Sequence, residues 1–226
     1  MSKKILFTLI ISFLLSQSIV NAQGLLGTYY NLSSGHPDME RWITGLDLGY
    51  VASTLSGNIP TLTAYGATRV SQWDWWHPMY QVFQRMDSQA DLQSNFSGSW
   101  FPVNTGLPGD PQDFAVRWEG QFYVAENKSY TYSMGSDDDS WLFIDNQLVL
   151  DLGGVHGMTS NNYSISLNQG YHKIDIFFAE RYVVESGFQL NFFTDLQPIP
   201  EPGSILLLGS GFLGIGIIGW LRRKTS

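Results

Sequence analysis

The chain of 226 residues contains no cysteine, so no disulfide supports it and no thiol chemistry or thiolate metal site is available. Stability must come from a core or from bound ions. Basic residues are also few. The extreme ends hold five of the 12 Lys and Arg and one of the 20 Asp and Glu, which leaves seven bases against 19 acids between them, a net of about −12. Such a surface repels nucleic acid and anionic lipid and favours metal cations, so nucleic acid is excluded as a partner. Helical periodicity is scarce too. Between residues 24 and 195 only 78–92 carries it, with Met79, Val82, Phe83 and Met86 spaced by three and four. Neither a nucleophile elbow nor a histidine zinc motif is present, which argues against a serine or zinc hydrolase.

What is present begins at the ends. Residues 1–22 read as a secretory signal: Lys3 and Lys4, an apolar run from Ile5 to Leu15, and small residues Val20 and Ala22 where signal peptidase cleaves. At the other end Pro200, Glu201 and Pro202 precede a glycine-rich apolar run at 205–221 and the bases Arg222, Arg223 and Lys224. As a transmembrane helix that run reaches about 26 Å, just enough to cross a bilayer, with its bases on the cytoplasmic side. These three parts, over residues 198–226, resemble the PEP-CTERM sorting signal of Gram-negative bacteria. The resemblance implies export, a passing inner-membrane anchor, recognition by an exosortase, and delivery to the cell surface or extracellular matrix of species that make extracellular polysaccharide. A plain C-terminal anchor is the alternative.

Residues 23–197 suit one domain. Short runs rich in Val, Ile, Phe and Tyr at 114–124, 129–134, 140–145, 147–152, 162–167, 171–179 and 187–193, separated by turn formers, predict an all-β antiparallel sandwich or barrel. The less regular stretch 33–111 reads as an elaboration within the same domain. It carries Trp73, Trp75 and Trp76, which with Trp42 and Trp100 form a candidate platform for sugar rings; the alternative is that they fill core.

The sharpest motif is the triple aspartate Asp137, Asp138, Asp139 between two strands. Confining three carboxylates requires an offsetting cation, protons or donors, and calcium, which takes six to eight oxygens in flexible geometry, suits them. Consecutive aspartates do not fit an EF-hand loop. Downstream stand Asp151 before a glycine loop with His156, then Glu180, Arg181 and Glu185, which together can line one end of a sandwich. Glu180 with Glu185 or Asp151 are the carboxylate pairs that a glycoside hydrolase would need.

The run from Gly24 to Tyr30, the segment Trp118, Glu119, Gly120, the triple aspartate, the glycine loop and the segment 177–181 resemble fibro-slime domains, within the protective-antigen-type β-sandwich modules. The resemblance implies a jelly-roll-like sandwich in which Asp137 and Asp138, joined by a cis peptide, hold calcium that in turn binds sugar hydroxyls. Asp139 departs from the adhesin pattern, which has glycine there. The expectation is therefore a non-enzymatic, calcium-assisted module that binds extracellular polysaccharide or another glycan in adhesion. The alternatives are a matrix protein that uses calcium for stability only, and, less favoured, a glycoside hydrolase.

Overall fold

Residues 24–92, 113–182 and 186–199 are described by the computed structural model. They form two antiparallel sheets packed face to face. The larger sheet is ordered β2 (Gln81–Asp87), β1 (Leu25–Asn31), β3 (Phe114–Val124), β8 (Gly170–Glu180), β5 (Asp139–Ile144) and β6 (Gln147–Leu152), and β10 (Leu196–Gln197) pairs with the far half of β3. The smaller sheet is β7 (Thr159–Leu167), β4 (Lys128–Asp137) and β9 (Gly187–Asn191).

Period-two alternation sorts the side chains. Phe114, Val116, Trp118 and Phe122 of β3 and Ile174, Ile176 and Phe178 of β8 meet Tyr132, Met134, Phe188 and Leu190 of the smaller sheet in a first core. The opposite face of the larger sheet is not solvated. Tyr30, Ala115, Trp141, Phe143, Phe177 and Ala179 pack there against Leu32, Met39, Tyr50, Val51, Val70, Trp75 and Trp76 in a second core. The segment from residue 32 to residue 80 is thus a third layer, made mostly of irregular chain with one short helical turn, Gly66–Arg69. Because β5 and the end of β8 are covered on both faces, every residue of β5 and of 174–180 is buried.

The predicted fold class holds: the described residues are antiparallel sheet with little helix, arranged as a sandwich. One expectation is corrected. The helical spacing at 78–92 forms a single 3₁₀ turn, Pro78–Tyr80, followed by strand β2. Pairing of β2 with β1, from Leu25↔Asp87 to Tyr30↔Gln81, satisfies its backbone and overrides the short-range pattern. The segments expected to form the terminal signal and membrane helices lie outside the described residues, among which no helix is long and apolar enough to cross a membrane.

Candidate functional site

The three aspartates sit where the chain passes from one sheet to the other. Asp137 ends β4, paired with Gly187, and Asp139 opens β5, paired with Ala179. The Asp137–Asp138 peptide is cis. All three side chains are buried, at 8%, 1% and 0% exposure.

Their partners differ. Asp139 accepts Gly154 N–H at 2.6 Å on Oδ1 and Arg181 Nε–H at 2.6 Å on Oδ2, a buried ion pair whose guanidinium lies 4.9 Å from the ring centre of Trp75. Asp138 accepts His156 N–H at 2.7 Å and Arg181 N–H at 3.0 Å, one on each oxygen. Glu180 sits fully buried at the end of β8, where one oxygen accepts Tyr182 N–H at 3.0 Å and the other, Oε2, has no hydrogen-bond partner among the described residues.

Asp137, Asp138 and Glu180 offer carboxylate oxygens that all lie within 4.8 Å of one another. Burial, reinforced by the charges of Asp139 and Asp137, pushes Asp138 up to about 7, although the Arg181 backbone donor opposes the shift. Burial and the neighbouring charge of Asp138 likewise hold Glu180 well above the usual carboxylate range. At neutral pH three carboxylates this close and this dry call for protons or a cation. The structure therefore pairs Asp137 and Asp138 with Glu180, and commits Asp139 to Arg181.

The remaining sequence-derived residues separate by role. Asp151 accepts Trp141 Nε1–H at 2.8 Å, Gly153 N–H at 2.9 Å and Gly49 N–H at 2.7 Å, which occupies both of its oxygens in holding the glycine loop. Burial raises its pKa against those donors. His156 contributes its backbone N–H to Asp138, while its ring nitrogens lie 3.0 Å from Gly157 O and 3.1 Å from Leu152 O. Trp75 is 0% and Trp76 5% exposed, so both serve the second core, and the open aromatic face expected of them is not present. Glu185, Trp100, Pro200, Glu201, Pro202, Arg222, Arg223 and Lys224 lie outside the described residues.

The segment 41–48 packs over this site. Arg41 N–H donates to Arg181 O, Thr44 and Gly45 N–H to Val155 O, and Asp47 N–H to Gly153 O. Gly154, at φ +112°, permits the approach, because a Cβ there would stand 2.4 Å from Gly45 O. The segment leaves Trp42 82% exposed, with its ring 6.5 Å from that of Tyr182. The sequence puts Glu180 among the residues that line one end of the sandwich but does not set it beside the aspartates in the metal candidate. The signal was an acid that continues an otherwise apolar strand, since such a position is buried and a buried charge needs a partner.

Two families match the sequence. Residues 82–195 match the PA14 domain and residues 198–224 the PEP-CTERM protein-sorting motif. Among curated proteins, psiR of Dictyostelium discoideum is 26% identical over 84% of this chain and 23% of its own length. From the same organism psiO is 40% identical over 41% of this chain and 13% of its own length, and psiB is 33% identical over 46% and 22%. The chain thus spans less than a quarter of these relatives. Among solved structures, the PA14 sugar-binding domain from an RTX adhesin is 13% identical, covering 79% of this chain and 99% of that one at a TM-score of 0.43. The PA14 domain of the MpAFP antifreeze protein is 15% identical, covering 81% and 94% at 0.41.

Proposed function

This chain belongs to the PA14 domain family, and from that premise we propose that it is an exported, non-enzymatic surface module that binds carbohydrate through calcium held by Asp137, Asp138 and Glu180. The observation that carries the reading is the meeting of those three buried carboxylates within 4.8 Å while the neighbouring Arg181 is engaged by Asp139. The unpartnered Glu180 Oε2 supplies the test of fit: a buried acceptor with no donor suits a cation. An all-oxygen donor set selects a hard divalent ion over zinc or copper. When bound, calcium would supply coordination positions for sugar hydroxyls. Trp42, exposed beside Tyr182, offers an indole face to the apolar side of a sugar ring.

The order of motifs supports a domain of the fibro-slime type. The PEP-CTERM match supports export and surface delivery, with signal peptidase acting on residues 1–22, a transient inner-membrane anchor at 205–221, and an exosortase acting at Pro200–Pro202. Against a glycosidase pair of Glu180 and Asp151 stands the use of both Asp151 oxygens by three donors. The depth of Asp138 and Glu180 favours a second reading, calcium held for stability in a matrix protein.

One experiment separates the two readings. In calorimetry of the full chain, saturating calcium should raise the melting temperature by about 5–10 °C over excess chelator. Asp138→Ala should abolish that rise. Calcium-dependent, saturable signals on a glycan array then support carbohydrate binding, whereas a thermal shift without them supports the structural role. No shift at all would discard the ion.

A further inference from the structure

A second recess lies on the outer face of the larger sheet, where the third layer ends. It is a groove of about 590 Å³, within the ~300–1,000 Å³ range of small-ligand sites. Its floor is the outer row of β1, β2 and β3: Thr28, Tyr30, Gln81, Gln84, Arg117 and Glu119. Its wall is the edge of the third layer, including Asn58, Trp73 and Asp74. None of these residues belongs to the acid cluster or to the loops that bind it.

The chemistry of the groove is specific. Arg117 is fixed by Glu119 at 2.8 Å and Asp175 at 3.1 Å, with Phe177 against its guanidinium, so the Arg117–Glu119 pair presents a donor and an acceptor already in place. Gln84 spends one amide hydrogen on Thr28 Oγ1 at 2.8 Å, which orients the amide and leaves its carbonyl oxygen as an acceptor. Gln81 is an exposed amide, both donor and acceptor, whereas Asn58, also exposed, accepts from Lys173 Nζ at 3.2 Å and keeps its amide hydrogens as donors. Trp73 is half-buried and locked, its indole N–H on Pro60 O at 2.6 Å and its ring 4.8 Å and 5.2 Å from those of Trp75 and Trp76. An ordered aromatic beside paired polar groups matches a ligand with alternating hydroxyls and apolar CH faces.

Charge narrows the class further. Asp74 and Glu119 outnumber Arg117 in the lining, and the surrounding domain is strongly acidic, so phosphate, sulfate and uronate groups are disfavoured. We propose that this groove is a second binding site, one that takes a neutral oligosaccharide without calcium. Together with the calcium-dependent site proposed above, on which this consequence rests, the groove would let one module engage two strands of a polysaccharide, or one strand twice, and gain avidity from weak contacts.

The test is titration calorimetry of the full chain, in excess chelator, against neutral hexasaccharides: cellohexaose, maltohexaose, xylohexaose and laminarihexaose. The expected result is saturable binding of at least one of them. The double variant Gln81→Ala, Gln84→Ala removes exposed side chains at the cost of the one hydrogen bond to Thr28, so its melting temperature should fall by no more than about 5 °C while its affinity falls about tenfold. Asp138→Ala should retain the binding, which separates this site from the acid cluster whatever becomes of the calcium reading. The proposal is overturned if none of the four binds in chelator, if the double variant binds as well as the parent, or if Asp138→Ala alone removes the signal.

Discussion

Asp138 carries two backbone donors and still titrates near 7, because burial and two adjacent carboxylates outweigh them. In the unfolded chain the same side chain is an ordinary aspartate. Between the ordinary carboxylate range and about pH 7 the folded protein therefore binds more protons than the unfolded one, and stability falls as pH rises through that window. Glu180, displaced in the same direction, adds to the effect. In chelator the melting temperature should drop between about pH 5 and about pH 7.5. Asp138→Asn should flatten the profile, and saturating calcium should reverse it by holding the acids ionised. A flat profile in the parent chain would contradict this account of the acid cluster.

Among the elements, β5 and β8 bear the most consequence, since they are covered on both faces. Trp75 of the third layer packs against Trp141 of β5, at 6.3 Å between ring centres, and beneath Arg181. Trp75→Ala should cost about 3–5 kcal/mol, read by urea denaturation, and should speed proteolysis within residues 32–80 because that layer loses its anchor. A loss below about 1 kcal/mol would mean that the layer adheres through other contacts.

The same elements show what the sequence disclosed. β3 and β6 were legible to the residue, because their alternation and flanking turn residues agree with their pairing. The third layer was legible only as irregular chain, although the unbroken apolar runs in β5 and β8 already required a cover on both faces. β2 was misread as helical because its partner is more than fifty residues away. The metal candidates were half legible: the adjacent aspartates announced themselves, whereas Glu180 joins them only through the crossing of β4 into β5 beside the end of β8. No local spacing encodes that contact.

At the scale of the whole molecule, the imbalance between acids and bases opposes compaction. In chelator, raising sodium chloride to about 0.5 M should screen that repulsion and raise the melting temperature by a few degrees. A decrease would indicate that paired charges such as Arg117 with Glu119 and Asp175 outweigh the net repulsion.

The two ends of the described domain meet, with Gly24 N–H donating to Leu196 O at 2.8 Å, and β10 lies against β3 at Gln121. The acid cluster adjoins the opposite end of β3, where Phe114 pairs with Glu180. Seven residues of strand, about 24 Å, separate the two places. The chain therefore runs on past residue 197 from the end of the sandwich remote from the acid cluster. The acid end faces away from that exit, so the segment that carries the chain onward does not crowd it.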